Sequence, residues 1–157
     1  MKKYPKDHRE KIWATLEADI QSRGENKDKK FKLSGKWKKF LRMQDGFKVF
    51  AVDGAWIRNN LSIIFGHGGH GYVHEFIPLD EIWISTHHYT ENKYNECGCG
   101  NIKKNQPVSK NYFDSTTVHE ITECLAMKKG KSFWISHNAA LEKEREIGLL
   151  KDPNTDI

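Results

Sequence analysis

The chain has 157 residues, of which 37% are hydrophobic and 30% are charged, and its formal net charge at pH 7 is +5. This length fits a single domain over residues 1–157, and 8 Phe, 5 Trp and 5 Tyr supply enough large apolar side chains for a core, which disfavours wholesale disorder. No apolar run approaches the roughly 18 residues needed to cross a bilayer, and the N-terminus is charged, so we expect a cytoplasmic protein without membrane contact.

The basic residues are concentrated near the N-terminus. Residues 1–42 hold 14 Lys/Arg against 6 Asp/Glu, a net charge of +8, whereas residues 43–157 hold 12 against 15, a net charge of −3. A basic segment can bind nucleic acid weakly through the phosphates. Lysine-rich helix faces are more often only solvated, and this segment contains no recognised reader motif. We therefore favour a solvated face, with weak nucleic-acid contact through residues 1–42 as the alternative.

The first predicted element is a helix. Apolar residues at helical spacing predict an amphipathic helix from Pro5 to Arg23. The polar, lysine-rich residues 25–36 predict a loop, which leads to a short apolar anchor formed by Trp37, Phe40 and Leu41. A mobile linker is an equal alternative for this segment. Residues 1–44 are therefore interpreted as a basic, helical N-terminal segment.

A β-rich part is predicted for residues 45–91. Asp53-Gly54 lies between two β-prone runs, which is a strong signal for a two-residue hairpin. The predicted strands are Phe47–Val52, Ala55–Arg58, Leu61–Phe65, Tyr72–Ile77 and Glu81–Ser85. Residues 92–113 are rich in Gly, Asn and Lys, which predicts a long irregular loop.

The last third of the chain has helical periodicity. Asp114 or Ser115 can cap a helix that ends at Lys128-Lys129-Gly130, and Ser132 can cap a second helix that runs to about Ile147. Residues 114–150 are therefore predicted to form two helices. The expected fold class is α+β, with an N-terminal helix, a small antiparallel sheet of about four to five strands and two C-terminal helices.

The first of these two helices carries a candidate metal-binding motif, His119-Glu120-Ile121-Thr122-Glu123. His119 and Glu123 are about 40° apart around a helix, so an imidazole and a carboxylate can converge on one ion. In zinc peptidases with His-Glu-x-x-His, the two His bind Zn²⁺ and the intervening Glu accepts a proton from water. Here Glu123 replaces the second His as an acceptable oxygen ligand. Glu120 is then the candidate base.

The second helix has two polar residues on its apolar stripe, His137 and Glu144. They are seven residues apart and lie within about 20° of each other around the helix. Buried polar groups need partners, and a shared metal ion provides one. The alternative is a buried polar network without a metal. We favour one metal ion held by His119, Glu123 and His137, with Glu144 orienting a ligand or replacing His137.

Two further segments can contribute polar groups to such a site. Residues 66–71 form a Gly-His stretch, which we interpret as a loop at the mouth of the site, with His70 near the metal or substrate. The alternatives are that His70 is itself a metal ligand and that the stretch is a plain turn between strands. Glu81 begins an apolar strand. If Trp83 faces the core then Glu81 does too, and a buried carboxylate would need a His or a metal as its partner. The alternative for Glu81 is a solvated strand end.

The three cysteines do not form a disulfide framework, which favours a reducing compartment. Cys97-Gly98-Cys99 has no matching second pair, so a structural zinc ribbon is not predicted. We expect a loop with free thiols, with metal capture together with His87 or His88 as a minor alternative. Cys124 is most simply a core residue.

The motifs follow one another in a recognisable order over roughly residues 45–147. They are Val52-Asp53-Gly54, Ile57-Arg58, Gly68-Gly69-His70, Phe76–Ile84, His119-Glu120-x-x-Glu123 and Ser136-His137-x-x-Ala140-x-x-x-Glu144. This layout resembles a family of small proteins encoded by phages and mobile elements, whose members look like minimal zincins. The resemblance implies a metal at His119, Glu123 and a residue of the final helix, with Glu120 as the base.

Two functional hypotheses follow. The first is a small zinc-dependent hydrolase that acts on a peptide or protein substrate, with one Zn²⁺ and a water activated by Glu120. The second is a metal-stabilised binding protein of phage origin, whose basic N-terminal segment contacts a host protein or nucleic acid in the host cytoplasm. The two differ at Glu120, because only a hydrolase needs this carboxylate beside an open metal position.

Overall fold

The computed structural model describes residues 36–91 and 102–151. Its elements are β1 (Lys38–Gln44), β2 (Phe47–Val52), α1 (Gly54–Asn60), β3 (Gly68–His70), β4 (Glu81–Ser85), α2 (Lys110–Lys128) and α3 (Phe133–Ile147). The α+β class and the two C-terminal helices are confirmed. The predicted helix from Pro5 to Arg23 and the Cys97-Gly98-Cys99 loop lie outside the described residues. Among the described helices, none combines the length and apolar character that crossing a bilayer would require.

The four strands form one sheet in the order β1-β2-β4-β3. The pairs β1/β2 and β3/β4 are antiparallel, whereas β2 and β4 are parallel. The sheet is therefore mixed, and the expectation of a wholly antiparallel sheet is wrong at its centre. The reason is the connection between β2 and β4, which contains α1 and β3 and is long enough to return the chain to the same end of the sheet.

The hairpin lies at a different Asp-Gly pair from the predicted one. Asp45 and Gly46 join β1 to β2 with positive φ values of 48° and 84°, as a tight hairpin turn requires. Asp53 instead caps α1, because its side chain accepts a hydrogen bond of 3.0 Å from the backbone N–H of Trp56. The predicted hairpin at Asp53-Gly54 and the strand Ala55–Arg58 are therefore wrong.

Two other predicted strands are also wrong. Residues 61–65 and 72–77 form turns, yet Leu61, Phe65 and Ile77 are buried in the core. These apolar side chains enter the core from turns rather than from strands. The strand in this part of the chain is β3, three residues of the Gly-His stretch.

Successive side chains of β4 point to opposite faces of the sheet, and each face packs against a different core cluster. Trp83 packs on one face with α1 and with a cluster of buried apolar residues that also contains Trp37. Ile82 and Ile84 face the other side, where they pack against Ile121 and Cys124 of α2. Helix α2 therefore covers one face of the sheet only. Cys124 is a core residue, as predicted.

The predicted apolar anchor before the sheet is only partly observed. Trp37 is buried and stacks on Trp56 with 4.5 Å between ring centroids. Phe40 and Leu41 lie on β1 at the edge of the sheet and are 50% and 41% exposed. Residues 38–44, which the sequence assigned to the basic helical segment, are a strand because they pair with β2.

Helix α2 begins earlier than predicted, whereas α3 begins where predicted. The side chain of Ser109 caps α2 by accepting a hydrogen bond of 3.1 Å from the backbone N–H of Tyr112. Asp114, the predicted cap, lies inside the helix and accepts a hydrogen bond from Arg42 of β1. Ser132 caps α3, and Gly148 ends it in the left-handed conformation.

Candidate metal centre

The candidate site lies where α2, α3 and the edge strand β3 meet. One turn of α2 separates His119 from Glu123, so both side chains lie on the same face. Helix α3 packs closely on α2 and brings His137 and Glu144 to that face. Strand β3 brings His70 to Glu123 from the sheet side. Five polar side chains from three elements therefore converge at one place.

Three ligand-type atoms form a tight triangle. Nε2 of His119 lies 3.2 Å from Oε2 of Glu123 and 3.1 Å from Nδ1 of His137, and this Nδ1 lies 3.0 Å from the same oxygen. Atoms bound at 2.0–2.2 Å to a tetrahedral ion are roughly 3.3 Å apart, so only a small outward shift is needed. The three side chains are 10%, 4% and 15% exposed. This cluster could hold a metal ion.

The other ring nitrogen of His119 has a carboxylate partner. Nδ1 of His119 lies 2.9 Å from Oε2 of Glu144, and Oε1 of Glu144 accepts a hydrogen bond of 2.6 Å from the hydroxyl of Ser115. A carboxylate at Nδ1 holds a proton on this nitrogen, so Nε2 is the nitrogen that would offer its lone pair to an ion in the triangle. This geometry favours Glu144 as a group that orients His119, rather than as a replacement for His137.

His70 hydrogen-bonds to the second oxygen of Glu123. Its Nε2 lies 2.8 Å from Oε1 of Glu123, and its Nδ1 accepts a hydrogen bond of 3.2 Å from the backbone N–H of Tyr72. The side chain is fully buried. Burial lowers the pKa of His70, and the hydrogen bond to Glu123 offsets this only in part, so the ring is held in its neutral form. The sequence placed His70 near the metal, and the structure places it against one of the candidate ligands.

Glu120 lies beside the triangle and takes no part in it. Within residues 36–91 and 102–151, its carboxylate has no hydrogen-bond or ion-pair partner. Its side chain packs against Gly68 of β3, where a Cβ would lie 2.8 Å from Cγ of Glu120 and 3.0 Å from Oε1. Burial, reinforced by the negative charge of Glu123, raises the pKa of Glu120 to about 8. Glu120 can therefore take up and release a proton near neutral pH.

The charges of the cluster are arranged for a cation. Burial lowers the pKa of His119, but hydrogen bonds to Glu123 and Glu144 outweigh it and raise that pKa well above its usual value. Burial raises the pKa of Glu123, but hydrogen bonds from His119, His137 and His70 bring it well below its usual value. In the metal-free protein, a proton on His119 therefore balances the buried carboxylates, and a bound cation would take over that role.

A cavity of about 240 Å³ adjoins the cluster. Its walls come from α2, α3, the β3 segment and the turns around it. The polar residues His119, Glu120, Glu123, His137 and Glu144 line one part of the cavity. Most of the lining outside this polar cluster is aromatic, apolar or glycine, and it includes Gly68, Gly69, Val73, Tyr89, Tyr112, Phe133 and Trp134. The cavity therefore gives a small molecule or a side chain access to both the triangle and Glu120.

Glu81 does not belong to this cluster. Its Oε2 accepts hydrogen bonds of 2.8 Å from Nζ of Lys38 and of 2.8 Å from Nε1 of Trp83. The alternation of β4 puts Glu81 on the face of Trp83, opposite to the face that packs on α2. The expectation of a His or metal partner for Glu81 is therefore wrong, because Lys38 of β1 is its charged partner instead.

Two residues of the site are not predicted from the sequence as site residues. The sequence predicts Ser115 as a possible helix cap, yet Ser115 lies inside α2 and its hydroxyl donates a hydrogen bond to Glu144. Its position one turn before His119, on the same helix face, is a signal that was available. Gly68 matters because it leaves room for Glu120, and nothing local indicates this, since 52 positions separate the two residues.

Comparisons of the chain with protein-family models, with curated proteins and with solved structures found no significant match. The functional assignment therefore depends on the geometry of the cluster and on the chemistry of its donor atoms.

Proposed function

We propose that the protein is a zinc-dependent hydrolase of the minimal-zincin kind, which cleaves peptide bonds with an activated water. The observation that carries this proposal is the triangle formed by His119, Glu123 and His137, with the Glu120 carboxylate beside it on the same cavity. Two imidazole nitrogens and one carboxylate oxygen are a donor set of catalytic zinc sites, which leave a fourth position open. Mg²⁺ and Ca²⁺ prefer oxygen ligands throughout, whereas Zn²⁺ accepts this mixed set of nitrogen and oxygen ligands.

Zinc, when bound, supplies Lewis-acid chemistry: it acidifies a water and polarises a carbonyl group. Glu120 is the proton acceptor in this proposal. Its carboxylate faces the cavity and makes no competing hydrogen bond in the described part of the chain. A cation at the neighbouring triangle favours the ionised carboxylate and lowers its pKa from about 8 toward the pH at which a general base works best.

A peptide fits the surroundings of the cavity. Among the strands of residues 36–91 and 102–151, β3 lies at an edge of the sheet, and its Gly68 and Gly69 line the cavity without side chains. An extended peptide can add to such an edge through backbone hydrogen bonds. The aromatic and apolar lining from Val73, Phe133 and Trp134 would contact its side chains. The resemblance to minimal zincins points to the same substrate class.

The test is Glu120→Gln, compared with the parent and with Glu142→Gln, a matched change at an exposed position on α3. Gln is nearly isosteric but accepts no proton, so zinc content and melting temperature should match those of the parent. Cleavage of a peptide library, read by mass spectrometry, should fall by roughly a hundredfold or more. Equal cleavage by the parent and by Glu120→Gln would reject Glu120 as the base. A zinc-loaded parent that cleaves no peptide would favour the metal-stabilised binding protein.

A further inference from the structure

The two oxygens of Glu123 have different surroundings. Oε2 lies in the triangle, 3.2 Å from His119 and 3.0 Å from His137. Oε1 points the other way, to Nε2 of His70 at 2.8 Å. Both groups of this last contact are buried, with 0% of the His70 side chain and 4% of the Glu123 side chain exposed. The hydrogen bond is therefore shielded from water and holds the carboxylate in one orientation.

The direction of this hydrogen bond follows from the second nitrogen of His70. The backbone N–H of Tyr72 donates to Nδ1, so Nδ1 presents a lone pair. A neutral imidazole has one N–H, which must then lie on Nε2. His70 is consequently a donor to Oε1 of Glu123 and offers no lone pair on that side.

This tautomer has a consequence for the number of metal ions. One ligand-type atom from each of His70, Glu120 and Glu123 also lies within 4.8 Å of the others, so distance alone would allow a second ion that shares Glu123. To bind that ion through Nε2, His70 would have to lose its remaining ring proton while Nδ1 still accepts from Tyr72. A metal in this second position is therefore disfavoured by the chemistry of the ring.

The tautomer also affects how Glu123 can bind the first ion. A carboxylate with both oxygens free can bind through one or both. Here Oε1 is engaged by the N–H of His70, which leaves Oε2 as the oxygen directed at the triangle. One oxygen and two imidazole nitrogens give a three-coordinate protein site with room for water, whereas a two-oxygen mode would crowd the open position.

We propose that His70 is a positioning residue that holds Glu123 as a one-oxygen ligand and restricts the site to a single divalent ion. This inference rests on the proposed metal site, although it does not depend on the substrate. The orienting group comes from β3, so the edge strand and the two helices together define the coordination of the ion.

The experiment uses full-length protein stripped with a chelator and titrated with Co²⁺, which accepts the same ligands as Zn²⁺ and absorbs visible light most strongly when four-coordinate. The parent is compared with His70→Leu, His70→Asn and His70→Gln. Leu cannot donate and the Asn amide is too short to reach Oε1, whereas the Gln amide can replace the lost donor. Having two loss variants keeps the test valid if the apolar one fails to fold, which circular dichroism reports.

The parent should bind one equivalent of Co²⁺ with the strong absorption of a four-coordinate site. The loss variants should bind roughly 10–100-fold more weakly, and their absorption should decrease as Glu123 binds through both oxygens. His70→Gln should recover the absorption, which a purely structural role of His70 does not predict.

Unchanged affinity and absorption in a folded loss variant would overturn the inference, and so would two equivalents of Co²⁺ bound by the parent. Failure of the parent to bind either Co²⁺ or Zn²⁺ is a different result, because it would reject the metal site itself.

Discussion

Zinc should stabilise the folded protein, and the size of the effect can be worked out. An ion present at 100 times its dissociation constant stabilises the folded state by about 2.7 kcal/mol if the unfolded chain does not bind it. For a chain of 157 residues, each kcal/mol corresponds to a change of about 2–4 °C in melting temperature. We therefore expect zinc to raise the melting temperature by roughly 5–10 °C, and a chelator to reverse the rise.

His119→Ala is the perturbation that tests where zinc binds. The change removes one ligand atom of the triangle and also the partner of two buried carboxylates, Glu123 and Glu144. Removing one partner from a buried ion pair costs about 3–5 kcal/mol. The metal-free variant should therefore melt at a lower temperature than the metal-free parent, and zinc should no longer raise its melting temperature.

The assay is a thermal melt of each protein with zinc and after chelation. His87→Ala serves as the matched control, because His87 is exposed and, among the described residues, its ring hydrogen-bonds to the hydroxyl of Thr86 and to no group of the triangle. This variant should keep both the parental stability and the full response to zinc. The reasoning would be refuted if zinc stabilised His119→Ala as much as the parent, because the ion would then bind elsewhere.

Three further outcomes follow from the same contacts. Gly68→Ala should displace Glu120, because Cγ of Glu120 would lie 2.8 Å from the new Cβ. Zinc content should stay unchanged while peptide cleavage falls by about a hundredfold. Undiminished cleavage would show that the position of Glu120 is unimportant. Zinc binding at pH 7 should release protons from His119, whose pKa is raised well above its usual value, and from Glu120, whose pKa of about 8 a neighbouring cation lowers. Zinc affinity should therefore increase with pH. Titration calorimetry in buffers of different ionisation enthalpy measures this release, and heats independent of the buffer would contradict it. Lys38→Ala should lower the melting temperature by removing the partner of Glu81 without changing zinc affinity, and weaker zinc binding would mean that Glu81 influences the site.

Local spacing in the sequence was enough to predict much of the site. The separation of four residues between His119 and Glu123 sets them on one helix face whatever the rest of the chain does. The same holds for His137 and Glu144, seven residues apart on α3. Hydrophobic periodicity and the Ser132 cap likewise predicted the two helices that carry them, because these signals act within one or two turns of backbone.

The strands were predicted less well, because their signals are ambiguous locally. Asp-Gly pairs occur at both 45–46 and 53–54, and Asp is favoured in tight turns and at helix N-caps alike. Which pair makes the hairpin depends on which strand pairs antiparallel with β2, and in the described chain that strand is β1. The apolar residues at 61–65 and 72–77 predict strands, yet Leu61, Phe65 and Ile77 are buried in turns, which can bury apolar side chains as well as strands do.

The sequence by itself determined the α+β class, the two C-terminal helices and the residue types that they present on each face. Only the tertiary structure decided the partners: His70 reaches Glu123 across 53 positions, Glu144 lies at Nδ1 of His119 across 25, and Glu81 pairs with Lys38 across 43. The physical reason is that helical periodicity acts over a few residues, whereas these contacts depend on the strand order and on how α3 packs against α2. A residue pattern can therefore predict candidate ligands. The role of each ligand, however, depends on which distant side chain hydrogen-bonds to its second polar atom.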